Sequence, residues 1–430
     1  MGIRVTAQVS REVTRNVAEL LAASTRDVGE HWAELTTPFW KIAEEIATAH
    51  GTPFFLYFPH RAAAAFQALV GGSANWGSVR IAYSLKTNPL PALLRDLNRW
   101  GASVEVVSAW EHSQARGAKF PSDRIVFNGP LKSEDGLRVI LPNAPFSINV
   151  DSVDELVMLE HIAARSDQPL SVGVRICPPR ADGVCSRFGI EVATGEADET
   201  IARILGSRSL RLRCVHFHLG TQVQDSTRYH EMVALARALW ISHKVAMDVS
   251  LDIGGGFPYE HDRHFNDQPF RPSDFFGALA ATWGPGARPP LVIEPGRFIA
   301  APAMALVSRV LSRKPRLGEP TIVVLDSGTN HNVMAAFFEH LWSFEGVTPD
   351  ADYRFCGPLC MEDDILSGRR YSSLPARGAL VATLNTGAYS LALLRTFIQP
   401  PPQVFLVRQD GRYEVLDRRT SFDEVDASRL

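Results

Sequence analysis

The sequence predicts an α/β protein: a TIM-like (β/α)8 barrel followed by a C-terminal β-rich domain of barrel or sandwich type. Two observations carry this. Short apolar, often β-branched runs alternate with amphipathic helical stretches eight times between about residues 60 and 300, which is the rhythm of a barrel. After Pro295 the texture changes to strand-like segments with few helices between them. The length, 430 residues, is enough for such a barrel and a smaller partner. A doubly wound sheet is the alternative for the same alternation, and the count of eight favours the barrel.

Taken in order, residues 1–35 are polar and mixed and read as an N-terminal arm. Thr37-Pro38 opens a helix running to about His50, stopped by Gly51, so residues 1–51 form a first segment of arm and helix. The barrel is expected over 52–300. It begins with an apolar strand, Phe54 to Phe58, and its eight repeating strands are placed at 81–83, 103–106, 125–127, 147–150, 171–176, 214–217, 250–253 and 291–294. Between them lie helical pieces such as 91–100, 153–164, 197–205, 227–243 and 272–283. The C-terminal domain, 301–430, is marked by strands near 304–311, 321–326, 378–383 and 403–407, with a bend at Pro400 to Pro402.

Composition narrows the function. The chain is 45% hydrophobic and 21% charged with a formal net charge of −3, without the basic excess of a nucleic-acid binder. Five cysteines lie scattered, with no CxxC pair, which argues against a disulfide framework or structural zinc and fits a reducing, cytoplasmic setting. The N-terminus has no apolar run suited to a signal peptide or membrane span. Gly2 and Thr6 match a myristoylation pattern only superficially, because no polybasic patch follows. No membrane partner is expected.

In a barrel, chemistry gathers just past the C-terminal ends of the strands. Reading along those ends collects Lys86, Glu105, Asn128, Asp151, Arg175, His218, the glycines 254–256 and Glu294. Lys86, in YSLKTNP, follows the first strand, where partial desolvation would lower its pKa and make the amine nucleophilic; taken alone, it reads more readily as a snorkelling surface lysine. In LDIGGGFP, Gly254, Gly255 and Gly256 leave bare backbone that can approach an anion such as a phosphate. A tight turn explains a lone GGG as well, and the run is neither a Walker loop nor GxGxxG, which disfavours nucleotide binding. Glu294, in IEPGR, ends a buried strand and needs a cationic partner or a protonated ring nitrogen; Arg297 would serve in a purely structural pair. His216 and His218, in HFHLGTQ, have a spacing that could ligate a metal, but no acidic or cysteine ligand set stands nearby in sequence, and His261 to His264 read as a solvated loop. No metal is expected.

Together these motifs resemble the fold-type III pyridoxal-phosphate-dependent decarboxylases, the group of ornithine, diaminopimelate and biosynthetic arginine decarboxylases. YSLKTNP, SVEVVSAWE, SRFGIE, HFHLGTQ, LDIGGGFP, IEPGR, GPLC and NTGAY occur in family order between about Thr52 and Tyr389. The resemblance implies a pyridoxal 5'-phosphate cofactor carried on Lys86 as a Schiff base. It implies that His218 stacks on the cofactor ring, Glu105 lies near the Schiff base and Glu294 faces the pyridine nitrogen. Thr221, Gly254, Gly255, Gly256, Gly296, Arg297 and Tyr389 would surround the phosphate. Cys360, entering from the neighbouring subunit of a homodimer, would return a proton after CO2 leaves. Glu294 keeps the ring nitrogen protonated and favours decarboxylation over a racemase, where an arginine takes that place. A racemase and a catalytically silent regulatory homologue are the competing readings.

The expected substrate departs from the familiar ones. Diaminopimelate decarboxylases grip a distal carboxylate with an arginine and a tyrosine, and the matching positions here are Met334 and Phe338. An unpaired carboxylate there costs about 2–5 kcal/mol. The acid that follows the essential cysteine in both diaminopimelate and ornithine decarboxylases is Met361 here. Glu362, Asp363 or Asp364 would have to substitute, unless they form a solvated acidic turn. His331, Met361, Glu362 and Asp364 are the candidate substrate contacts. An amino acid conjugated to a siderophore precursor or to an acyl carrier protein fits these losses better.

Overall fold

The computed structural model describes residues 37–130, 132–177, 186–223, 226–259, 270–344 and 349–417. The N-terminal arm, Cys185 and the His261 to His264 loop lie outside the described residues. The chain forms two compact units, residues 61–300 and residues 1–60 together with 301–430.

The segment expected to open the barrel belongs elsewhere. Strand β1 (Phe54–Tyr57) pairs antiparallel with β11 (Met304–Arg316) and parallel with β17 (Gln403–Val407). The helix Thr37–His50 packs Phe39, Trp40, Ala43 and Ile46 into the same core as Phe54, Leu56, Ala305, Val307 and Phe405. The barrel unit therefore starts near residue 61 rather than 52, and the described part of the first segment, from Thr37, belongs to the β unit. The run Phe-Phe-Leu-Tyr is buried at every position, so it carries no alternation that could say which sheet it completes.

In the barrel unit, eight parallel strands close on themselves. They are β2 (Val79–Ser84), β3 (Ser103–Val106), β4 (Ile125–Phe127), β5 (Ser147–Val150), β6 (Leu170–Cys177), β8 (Leu210–His216), β9 (Ser250–Asp252) and β10 (Leu291–Ile293). β10 pairs with β2 and β5 with β6, which completes the ring; a two-residue strand β7 (Ile190–Glu191) adds to the end of β6. All eight expected strands are present.

The helices that follow β3 and β5 start with the same device. Ser108 Oγ accepts from Glu111 N at 3.2 Å while the Glu111 carboxylate accepts from Val107 N at 2.8 Å. Ser152 and Glu155 repeat it, with Asp151 N as the second donor at 2.9 Å. A serine followed three residues later by glutamate satisfies two otherwise orphaned backbone donors and fixes where the loop turns into helix. That pins the mouth of the barrel.

The other unit contains the expected strands β11, β12 (Glu319–Leu325), β16 (Leu380–Leu384) and β17. Four more complete it: β13 (Trp342–Phe344), β14 (Asp350–Cys356), β15 (Arg370–Ser373) and β18 (Tyr413–Asp417). A second core of Val323, Leu325, Trp342, Tyr353, Phe355 and Leu366 lies under β12 to β14. Among the described residues no helix is long and apolar enough to cross a membrane.

Candidate active site

The barrel brings Lys86, Glu105, Asn128 and Glu294 into one hydrogen-bonded chain at its mouth. Lys86 sits in the turn directly after β2, and its Nζ lies 2.8 and 3.1 Å from the two carboxylate oxygens of Glu105. Glu105 is the third residue of β3 and is only 1% exposed. A carboxylate that deep needs several donors, and it has them: Ser84 Oγ donates at 2.7 Å and Asn128 Nδ2 at 3.3 Å. Asn128 also donates to Glu294 Oε1 at 2.5 Å. Below it the network continues through the barrel core, from Asn149 Nδ2 to Asn128 Oδ1 at 2.7 Å, with Ser147 and Cys214 both donating to Asn149 Oδ1. Gly173 makes room for this layer, since a Cβ there would stand 2.1 Å from Asn149 Oδ1.

Glu294 lies among His216 and Asp252, whose ligand atoms all fall within 4.8 Å of one another. His216 Nε2 is 3.6 Å from Glu294 Oε2. Burial by itself would raise the Glu294 pKa, but His216 beside it, with Lys86 and His218 beyond, outweighs it and holds the carboxyl well below its usual range. Asp252 goes the other way. Burial, and then the Glu294 charge, push it well above an ordinary carboxyl, while Gly254 N–H donates to its Oδ1 at 2.9 Å. The pair is thus divided: Glu294 is biased towards the carboxylate and Asp252 towards the protonated acid.

This division has a measurable consequence. An acid whose folded pKa is raised costs stability above its unfolded value, and that cost disappears as pH falls to the unfolded pKa. Asp252→Asn copies the shape and donors of the protonated acid. It is expected to melt at or above the wild-type temperature at pH 8, the difference closing towards about pH 4. A large loss of melting temperature at pH 8 would mean that Asp252 is ionised.

His218, half-buried, accepts from Gly255 N at 3.2 Å through Nδ1. Burial pushes its pKa down to about 3 against the opposing pull of Glu294, so the ring is neutral near pH 7. The two histidines are divided between groups: His216 meets the carboxylates and His218 the glycine loop.

The glycine run needs its missing side chains. Gly254 and Gly256 have φ of +65° and +95°, and a Cβ on Gly255 would lie 2.3 Å from the Glu294 carbonyl oxygen. A Cβ on Gly256 would meet Gly220 O at 2.5 Å, and Val223 N donates to Gly256 O at 2.8 Å, so the loop carrying half-exposed Gly220 and exposed Thr221 abuts the run. Gly296 is equally tight, since a Cβ on it would lie 2.0 Å from Thr87 Oγ1, and Arg297 beside it is buried. Of the other residues at the mouth, Arg175 and Asp151 are engaged with each other at 3.1 Å.

The remaining expected residues belong to the β unit. Cys360 and Met361 are exposed, as is Glu362. Tyr389 is half-buried with a left-handed φ of 68°. Asp364 is buried, and its two oxygens accept from Thr329 N (2.7 Å), Thr329 Oγ1 (2.9 Å) and Leu359 N (2.8 Å). His331 has no exposed surface, and its Nε2 lies 3.2 Å from the Pro400 carbonyl oxygen. Within this unit, Asp364 and His331 are thus engaged in bonds that hold neighbouring loops.

Sequence reasoning noted Asn128 at the mouth without assigning it a role, and it did not assign Ser84, His216 or Asp252. The last two stand inside HFHLGTQ and LDIGGGFP, one or two residues from positions that were assigned, so the motifs themselves were the available signal.

The donor set fits pyridoxal phosphate: an amine, a neutral imidazole, a carboxylate held ionised and a bare glycine loop. Residues 61–301 match the family model described as pyridoxal-dependent decarboxylase, pyridoxal binding domain. The chain is 28% identical over 411 residues to an L-glutamyl-[BtrI acyl-carrier protein] decarboxylase of Niallia circulans, covering 88% of this chain and 94% of that one. It is 31% identical over 355 residues to a diaminopimelate decarboxylase of Actinosynnema pretiosum, covering 77% and 79%. The fold matches that of M. jannaschii diaminopimelate decarboxylase with L-lysine at a TM-score of 0.81 and 23% identity, over 90% of this chain and 94% of that one. With more than half of its length matched to the family model, the chain belongs to the pyridoxal-phosphate-dependent decarboxylases and is a carboxy-lyase of that family.

Proposed function

We propose that the enzyme decarboxylates an α-amino acid whose far end is neutralised by conjugation, with an acyl-carrier-bound amino acid as the leading candidate. The observation that carries the decarboxylase chemistry is Glu294, ionised and buried at the barrel mouth alongside Lys86 and Glu105. Lys86 would hold the cofactor covalently. Glu294 would keep the ring nitrogen protonated, His218 would lie against the ring as a neutral surface, and Gly254 to Gly256, Gly296, Arg297, Thr221 and Tyr389 would hold the phosphate. When bound, pyridoxal phosphate supplies an electron sink for the pair left behind by departing CO2. Glu105 would pair with the Lys86 amine while substrate has displaced it from the cofactor, and Cys360 would deliver the proton that replaces the carboxylate.

The substrate class rests on what the chain lacks. Met334 and Phe338 supply no cation for a distal carboxylate, and Met361 supplies no anion for a distal amine. A relative spanning most of this chain acts on a carrier-bound glutamyl group. A conjugated, uncharged tail asks for neither ion. The test is CO2 release from free ornithine, lysine, arginine and meso-diaminopimelate beside L-glutamyl pantetheine thioester. Turnover confined to the thioester is expected, and rapid turnover of any free amino acid would overturn the reading.

We also infer a homodimer in which Cys360 serves the partner's Lys86. Mixing inactive Lys86→Ala and Cys360→Ala chains under exchange should then restore about a quarter of wild-type activity, since half the dimers carry one intact site. No recovery, with exchange verified by differential tagging, would assign Cys360 to its own chain's site.

A further inference from the structure

The geometry points to a second ligand site at the N-terminal end of the barrel, opposite Lys86, that takes a small phosphate-bearing molecule. A cavity of about 560 Å³ opens there among the first residues of β2, β3, β9 and β10, with Arg213 of β8 also lining it. That volume is in the range of small-molecule sites, about 300–1,000 Å³. Three arginines line it: Arg80 from β2, Arg213 from β8 and Arg124 just ahead of β4.

No carboxylate is paired directly with these arginines among the described residues, and the nearby charge that acts on Arg80 from outside the cavity is that of Asp123. The Arg80 and Arg213 guanidinium carbons lie 4.1 and 4.8 Å from the centroid of one ring, Phe146. An aromatic face holds a cation but neutralises none of its charge. Arg80 donates to Ser103 Oγ and to the Asp123 carbonyl, both at 2.9 Å, and neither acceptor is an anion. Among the described residues, none of the three makes an ion pair with a carboxylate. Asp248, the one acid lining the cavity, pairs instead with exposed Arg211 at 3.3 Å. Burial, and then the charges of Arg213 and Arg124, lower the Arg80 pKa, with Asp123 opposing.

Packing like charges into one half-buried cavity costs stability unless an anion bridges them. Guanidinium forks match the oxygens of a phosphate, and three of them suit its double charge better than a single carboxylate would. The aromatic wall of Phe66, Trp100 and Phe146 gives the rest of a phosphate ester an apolar surface.

The test uses holoenzyme, so that pyridoxal phosphate occupies the active-site glycine loop. Inorganic phosphate and succinate are titrated by calorimetry and by thermal melting, at ionic strength held constant with chloride. Saturable phosphate binding that raises the melting temperature is expected, weakened at least about tenfold in Arg213→Gln and in Arg124→Gln. Among the described residues Arg213 makes no side-chain hydrogen bond, and without phosphate Arg213→Gln should melt no lower than wild type because it relieves repulsion. Absence of binding, equal binding to the variants, or tighter binding of succinate than of phosphate would overturn the assignment.

Discussion

Replacing Lys86 by alanine or by arginine is expected to lower CO2 release by on the order of 10³-fold or more, and to leave protein that purifies without the visible absorbance of lysine-bound cofactor. The two variants separate charge from covalency. Arginine keeps a cation beside Glu105, whereas its guanidinium stays protonated at any working pH and cannot condense with a carbonyl. If the ammonium served only to neutralise Glu105, Lys86→Arg would retain most of the activity, and that result would sink the assignment. Folding is expected to survive in both. In Lys86→Ala the buried Glu105 carboxylate still accepts from Ser84 and Asn128, so it is not left bare. Far-ultraviolet circular dichroism and a melting curve check that point separately from activity.

The residues on either side of that ion pair show what a sequence can and cannot disclose. Lys86, Glu105 and Glu294 were legible because each ends, or lies within, a short apolar run, and eight such runs imply one shared mouth. Asn128 was visible at the end of its strand, yet its role was not. That role is to join Glu105 to Glu294, a residue 166 positions away, and it depends on how β2 to β5 register and on β10 closing against β2. The opposite shifts of Asp252 and Glu294 likewise arise from the folded surroundings, His216 acting on Glu294 and burial with the Glu294 charge acting on Asp252, which no local pattern encodes.

The β unit was harder to read for a different reason. Its missed strands include Arg-Tyr-Ser-Ser and Asp-Ala-Asp-Tyr-Arg-Phe-Cys, which are polar or only half-buried and carry little of the apolar signal that marks a barrel strand. Phe54–Tyr57 had the right signal, but it is separated by some 250 residues of sequence from the strand β11 that it pairs with. His331 and Asp364 lie near Met334 and the GPLC motif in sequence. Nearness in sequence did not say that one would be enclosed against Pro400 and the other would staple the Thr329 and Leu359 loops together.

Glu294→Gln is expected to reduce kcat by about 10²- to 10³-fold while the protein still binds its cofactor. Glutamine keeps the volume and can still accept from Asn128, but it brings no negative charge to the place where a ring proton would be held. The effect should therefore fall on kcat rather than on cofactor content, and the absorption spectrum of the bound cofactor should change with it. The same variant carries a stability signature of known sign. The folded pKa of Glu294 is depressed, so its ionisation stabilises the fold above the unfolded value, about 4.3, and that contribution is lost as pH falls through the folded pKa. Wild type should consequently lose more stability than Glu294→Gln as pH drops from about 5 towards 2. Parallel acid-unfolding curves for the two proteins would mean that Glu294 is not held ionised in the fold, and the charge argument for the decarboxylase mechanism would fail with it.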